Sequence, residues 1–261
     1  MASGGINSLR SSRRSSDVAE SESSLTKHED DLSHTLNATG SSNSNNVGDP
    51  IRAIVTSAGN APIELEDALA EFGVPEGETA QLLAVLPKQP LGRRLIAHVF
   101  NDINWIRCPL PRRYLLKLFD EFWASGPKLT IKNLNVFAIL MSSMALGATS
   151  LPKKDYEAAL TEMRHEAGEP EPDANTAKPE KDCERMQAAR RYNYAAHRAL
   201  LASSTLGIED LIHVIGWVQS TKFLFLDRRI SEAFFATGSA AKAAFALGLH
   251  RDGTKFGLSH E

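Results

Sequence analysis

Apolar residues recur at every third or fourth position from about residue 62 onward, and glycine or proline separates the recurring segments. This spacing is typical of amphipathic helices, whose apolar stripe faces a core. The strict alternation of apolar and polar residues that marks a half-buried strand is absent from the sequence. The pattern predicts an all-α protein with helices at Pro62–Phe72, Glu78–Leu86, Gly92–Trp105, 111–125, Thr130–Ala145, Asp155–His165, Lys181–Ser203, Ile208–Ser220 and Ser231–Leu249.

Helix ends and buried faces follow from the same pattern. Thr130 is expected to cap the fifth helix and Gly147 to end it, because a hydroxyl accepts N-terminal N–H groups and glycine tolerates a left-handed end. Glu209 and Asp210 suit the positive N-terminal end of the eighth helix. Four residues of each of the last three predicted helices are expected to point inward. In the helix at 181–203 they are Met186, Tyr194, His197 and Leu201, and in the helix at 208–220 they are Leu211, Ile212, Ile215 and Val218. In the helix at 231–249 they are Phe234, Gly238, Ala241 and Phe245.

Composition divides the chain into three parts. Residues 1–50 contain no aromatic residue and are dominated by Ser, Asn, Asp and Glu. They bury too little apolar surface to offset chain entropy, so they are expected to form a disordered tail. Residues 51–77 are interpreted as a linker with a short helix, and residues 78–261 as the helical body. Within that body, residues 168–181 are rich in Pro, Glu and Asp, which predicts a flexible insertion.

Charge and hydropathy exclude two broad classes of partner. The net charge is −3, so no surface-wide attraction to a phosphate backbone is expected. The paired arginines at 112–113, 190–191 and 228–229 are interpreted as ordinary surface residues. The longest apolar run, Val136–Ala148, is too short to span a bilayer, and the N-terminus lacks the apolar core of a signal peptide. No membrane partner is therefore expected.

Catalytic and cofactor motifs are missing from the sequence. It has no glycine-rich phosphate loop, no Gly-x-Ser-x-Gly elbow and no His-Glu-x-x-His zinc motif. Cys108 and Cys183 lie too far apart for a zinc cluster, and a reduced pair is favoured over a disulfide. His98, His197 and His213 fall within predicted helices and are interpreted as surface or half-buried structural residues. No catalytic, cofactor-binding or metal residue is expected, and the chain is not expected to be an enzyme.

One segment carries a more specific signal than these patterns. Residues 239–253 read Ser-Ala-Ala-Lys-Ala-Ala-Phe-Ala-Leu-Gly-Leu-His-Arg-Asp-Gly. They resemble the A-x-x-A-x-x-L-G-L-H-R-D-G run in the middle homology region, or xylanolytic-activator type regulatory domain, of fungal zinc-cluster transcription factors. Small residues allow close helix packing, and Gly248 and Gly253 permit chain reversal, with residues 250–252 as a polar cap on the helix end. The matching positions are Ala241, Ala244, Leu247, Gly248, Leu249, His250, Arg251, Asp252 and Gly253.

Segments upstream agree in order and spacing with the same regulatory domain. Residues 82–87, followed in sequence by residues 95–105, resemble the opening passage of that domain. Residues 110–123 resemble the element that follows, and residues 205–211 resemble the start of a later helix. The resemblance covers roughly residues 78–258. In the family the domain continues with further helices, so the chain is expected to be its N-terminal part.

The resemblance implies a nuclear protein that regulates transcription. The family binds DNA through a six-cysteine zinc cluster, and this chain has two cysteines. Zinc and DNA contact are therefore expected only through a module missing from this sequence. Regulatory proteins or the transcription machinery are the expected partners. The alternative is a DNA-independent helical scaffold for protein–protein interaction, in which Phe234, Phe245 and Leu249 stay exposed and favour dimerisation or partner binding.

Overall fold

The computed structural model describes residues 64–103, 110–166, 168 and 181–251. Within these ranges the chain forms helices and no strand, so the all-α prediction is confirmed. The helices are α1 (Leu65–Glu71), α2 (Glu78–Ala84), α3 (Gln89–His98) followed by a π-helical turn (Val99–Ile103), α4 (Arg112–Ala124), α5 (Leu134–Ser150), α6 (Lys153–Glu166), α7 (Lys181–Thr205), α8 (Leu211–Leu226) and α9 (Ile230–Ala246).

Helix α5 lies at the centre of the core. Nearly every residue from Leu134 to Ala148 is buried. The segment is apolar on all sides, and a helix of that kind is stable in water only when other helices surround it. Its neighbours include α3, α4, α7 and α8, and its most extensive contact is with α7.

The start of α5 differs from the prediction that Thr130 caps it. Asn133 is the residue before the helix, which begins at Leu134. The N–H of Thr130 donates to Asn133 Oδ1 at 2.7 Å, and the N–H of Asn133 donates to Thr130 Oγ1 at 3.3 Å. These reciprocal hydrogen bonds stabilise a turn over residues 130–133, and the helix follows the turn.

The sequence predicted that Gly147 ends α5. Instead, Gly147 lies inside the helix, at the point where α5 crosses α3. The helix continues through Gly147 to Ser150. A β-carbon at Gly147 would overlap the backbone carbonyl of Leu95 in α3, so the missing side chain lets two backbones touch. The carbonyls at the end of α5 accept hydrogen bonds from Arg185 of α7, whose Nη1 lies 2.7–2.8 Å from the oxygens of Ala148, Thr149 and Leu151.

Alanines, rather than the large side chains that the sequence predicted, form most of the inward face of α7. Tyr194 and Leu201 are exposed (62% and 51%), whereas Met186 and His197 are half-buried. Small side chains let α7 lie close to α5, and the larger residues then take the other side of the helix. The buried positions include Ala189, Ala195, Ala196, Ala199 and Leu200.

Helix α8 runs over Leu211–Leu226 instead of the predicted Ile208–Ser220, and Asp210 of the acidic pair caps it. The N–H of His213 donates to Asp210 Oδ1 at 2.7 Å and so satisfies one N-terminal donor. Periodicity did not identify the inner face, since the helix is apolar on most sides, and the fully buried positions include His213 and Trp217. Of the four residues expected inside, Ile215 is buried. The other three, Leu211, Ile212 and Val218, are half-buried.

The other predicted helices are present, with ends that differ by a few residues. Helix α1 ends at Glu71, one residue before the predicted end at Phe72, and Gly73 follows Phe72 with a φ of 74°. Pro111 precedes α4 as its N-cap instead of lying inside the first turn. The predictions for residues 1–50, for Trp105 and for nearly all of the 168–181 insertion lie outside the described residues.

Length and apolar character together decide whether any helix of the described ranges could cross a bilayer. None of them is by itself both long and apolar enough to cross a bilayer. Helices α5 and α6 reach that length and composition only as a pair, and a bend of 119° separates them.

Candidate functional site

The last helix, α9, carries most of the segment that the family resemblance singles out, and it packs against α8 through alanines. Its buried residues lie three or four positions apart and are Ala233, Ala236, Ala240 and Ala243. Methyl-sized side chains allow the two helix backbones to approach closely. The face predicted for close contact was Phe234, Gly238, Ala241 and Phe245. That prediction is wrong within this chain, because the alanines occupy the opposite side of the helix.

The outward side of α9 presents an aromatic surface to solvent. Phe234 is 75% exposed, Phe235 72%, Phe245 62% and Ile230 58%. A β-carbon at Gly238, midway along this side, would meet no atom within 4 Å. These five residues are called the α9 stripe below. Several large aromatic side chains exposed together commonly mark a contact surface for another molecule.

Helix α9 ends through backbone hydrogen bonds at Gly248. The N–H of Gly248 donates to the carbonyl of Phe245, and the N–H of Leu249 donates to that of Ala244, each at 3.0 Å. Gly248 has a φ of 75°, the left-handed conformation that this Schellman closure requires. The predicted chain reversal at Gly248 is confirmed. Of the predicted polar cap at residues 250–252, Asp252 lies outside the described residues, and the ring of His250 packs against Phe245 with centroids 4.8 Å apart.

The residues of the family signature lie around that closure. Those that are exposed are Ala241, Leu247, Leu249, His250 and Arg251. Ala244 is half-buried, whereas Asp252 and Gly253 lie outside the described residues. Because His250 contacts Phe245, the signature and the α9 stripe form one accessible surface.

Comparisons with known proteins identify no family for this chain. No family model, no curated protein and no solved structure matches the chain. The site is therefore defined by its own geometry, and the transcription-factor resemblance stays a prediction.

A buried polar cluster joins α5, the end of α7 and α8 around His213, which is fully buried. The indole N–H of Trp217 donates to His213 Nε2 at 3.0 Å, and Ser204 Oγ lies 3.3 Å from the same nitrogen. The acceptor role of Nε2 places the ring proton on Nδ1, which lies 3.3 Å from Asn135 Oδ1 and donates to it. Asn135 Nδ2 donates in turn to the carbonyl of Ile208 at 2.9 Å.

This cluster links helices, and its His213 and Asn135 side chains are buried, whereas Ser204 at its edge is exposed. Burial lowers the pKa of His213 to about 4, so the ring is neutral at pH 7. The interpretation of His213 as a surface or half-buried residue is wrong in its burial, because the ring is fully buried, and its hydrogen bonds serve to link helices. Across the described ranges, no group of three or more His, Cys, Asp or Glu side chains is placed to hold a metal ion.

Two of the paired arginines hold helices through ion pairs. Arg190 of α7 contacts Asp227 at the end of α8, with Nη2 to Oδ1 at 2.8 Å and Nε to Oδ2 at 2.9 Å. Arg229 pairs with Glu232 in the first turn of α9. These contacts fit the interpretation of the pairs as ordinary surface residues.

Sequence reasoning missed part of the exposed surface. Phe235 was not singled out, and neither were Phe225 and Leu226 at the end of α8, each 53% exposed. Large apolar residues were assigned to the core because of their size. The available signal was the regular spacing of small residues, which predicts the close helix contact and leaves the phenylalanines outside.

Proposed function

We propose that this chain regulates transcription in the nucleus, as a helical regulatory domain similar to the middle homology region of fungal zinc-cluster transcription factors. The observation that carries the proposal is the placement of residues 247–251, Leu-Gly-Leu-His-Arg, on an accessible surface next to the α9 stripe. A regulatory domain needs a surface that other proteins contact. Exposed aromatic side chains on a rigid helix supply the kind of anchor that dominates such contacts.

In this proposal a separate module binds DNA and zinc. The sequence has two cysteines, whereas the cluster of the family uses six. Arg190 and Arg229 face the carboxylates of Asp227 and Glu232, which compete with any phosphate for these guanidinium groups. Regulatory proteins or the transcription machinery are then the partners of the chain itself.

A reporter assay in a fungal nucleus tests the proposal. The chain is fused to an unrelated DNA-binding domain, and we expect the fusion to change reporter transcription. Replacing Phe234→Ser and Phe245→Ser together should weaken that change about fivefold, because lost aromatic anchors cost on the order of 1 kcal/mol of binding. Reporter output equal to that of the DNA-binding domain alone, from a fusion that is folded and nuclear, would contradict the proposal.

The matched control is Phe72→Ser. Phe72 is 41% exposed and follows α1, so it is an exposed phenylalanine outside the α9 stripe. Its replacement should leave reporter output unchanged. An equal loss in the control would mean that the fusion responds to any exposed phenylalanine.

A helical scaffold that acts without DNA is the second candidate function. The size of the exposed surface favours it, because Phe225 and Leu226 of α8 are exposed in addition to the α9 stripe. The same fusion separates the two candidates. A scaffold leaves the reporter unchanged while the purified chain still associates through the α9 stripe.

A further inference from the structure

A cleft lies between the α2–α3 turn, α6 and α7. Its volume is about 440 Å³, and its apolar lining includes Leu91, Leu160 and Met163. Small-molecule sites in proteins typically enclose about 300–1,000 Å³ and combine apolar walls with a few polar groups. The cleft has the size and the walls of such a site.

The charged residues that line the cleft are all cations. They are Lys88, Arg164 and Arg191, and no carboxylate is among the lining residues in the described part of the chain. Neither arginine forms an ion pair with another residue of the described ranges. Positive groups grouped beside low-dielectric walls attract an anion more strongly than the same groups spread over a surface.

Two phenol groups complete the lining. Tyr156 and Tyr192 are 6% and 7% exposed, and their side chains are hydrogen-bonded to each other. Burial raises the pKa of both phenols above the ordinary value, so both stay protonated at neutral pH and add no negative charge. A protonated phenol can donate a hydrogen bond to a carboxylate or phosphate oxygen.

We propose that this cleft binds a small organic anion, a carboxylate or a phosphate ester with an apolar body. Arg164 and Arg191 hold the anionic group, and the apolar body lies against Leu160 and Met163. At roughly 30 Å³ for each water-sized group, the cleft has room for about 15 non-hydrogen atoms. This inference does not rest on the proposed function, because none of the lining residues belongs to α9.

Methyl NMR of the full chain labelled at methionine tests the proposal, because Met163 lines the cleft. The probes are phenylacetate, phenyl phosphate and the neutral isostere phenylacetamide. We expect at least one anion to shift the Met163 methyl signal saturably, with a Kd of about 1 mM, the affinity expected for ligands of roughly ten atoms. The amide should bind about tenfold more weakly. Tighter binding of phenylacetate or of phenyl phosphate identifies the anion as a carboxylate or a phosphate.

Paired charge variants show whether the arginines hold the anion. The double variant Arg164→Gln with Arg191→Gln should raise the Kd of the anion about tenfold. The control double variant Arg113→Gln with Arg251→Gln removes the same charge from exposed sites outside the cleft, and it should leave the Kd unchanged. The proposal is overturned if neither anion shifts the Met163 signal, if the amide binds as well as both anions, or if the two double variants bind alike.

Discussion

At the scale of single residues, the cluster around His213 depends on a neutral imidazole. Nε2 accepts a hydrogen bond from the indole N–H of Trp217, and Nδ1 donates to Asn135. A proton added at Nε2 would remove the acceptor and leave the Trp217 N–H buried without a partner, next to a buried positive charge. The folded state therefore resists protonation of this ring.

The stability of the protein should fall as the solution is acidified below pH 6.5. The pKa of His213 is about 4 in the folded state and about 6.5 in the unfolded chain, so the unfolded chain binds the proton first. Between pH 7.5 and pH 5 we expect the free energy of unfolding to decrease by about 2 kcal/mol from this ring. Urea unfolding at the two pH values measures the decrease.

The control for this prediction is His213→Gln, which keeps a donor and an acceptor but does not titrate. The variant should be less stable at pH 7.5, and its loss of stability on acidification should be smaller than that of the natural chain. An unchanged pH profile in the variant would show that other groups, such as the half-buried His197 with its lowered pKa, cause the dependence.

At the scale of helices, two glycines are expected to respond in opposite ways to the same added methyl group. Gly147 lies against the backbone of Leu95, so Gly147→Ala must separate α5 from α3 and should cost about 3 kcal/mol. Gly238 faces open space on α9, so Gly238→Ala should stabilise the helix by about 0.5–1 kcal/mol. Urea unfolding of the two variants measures both effects. Similar values for the two would contradict the close crossing of α3 and α5.

The existence of the helices could be predicted from the sequence, whereas several of their buried faces could not. The sequence pattern located every α-helix of the described ranges, including α6, which was expected as a polar helix. In α7 and α9 alanines such as Ala196 and Ala236 occupy the buried positions, and large residues such as Tyr194 and Phe234 are exposed. Size and hydrophobicity favour burying the larger residue, but close packing of two backbones favours the smaller one. A single-sequence pattern does not show which of these effects decides a given helix.

At the scale of the whole molecule, the α9 stripe should make the purified chain associate with itself. Sedimentation velocity over about 10–100 µM should show species larger than 28.5 kDa that increase with concentration. Replacing Phe234→Ser and Phe245→Ser should return the chain to a monomer, because the exposed aromatic surface is the cause. Phe72→Ser should leave the self-association unchanged. A natural chain that stays monomeric over this range would contradict the prediction.

The surface that carries the proposed function was only partly predictable. The Leu-Gly-Leu-His-Arg run indicated the end of α9. Helical periodicity predicted Phe234 and Phe245 inside, whereas the scaffold alternative predicted both of them and Leu249 exposed, and all three are exposed. The cleft lined by Arg164 and Arg191 was not expected, because its residues come from three segments far apart in the chain. Their meeting depends on how α6 packs beside α7 and α3, which local spacing does not encode.

The burial of α5 has a consequence for the chain during its synthesis. Residues 134–150 leave the ribosome before α7 and α8, the helices that cover them, have been translated. At about 5–20 residues per second, this apolar helix waits in water for on the order of 4–15 s until Leu226 has also left the exit tunnel. A nascent chain with such an uncovered helix is a natural client for a chaperone at the exit tunnel.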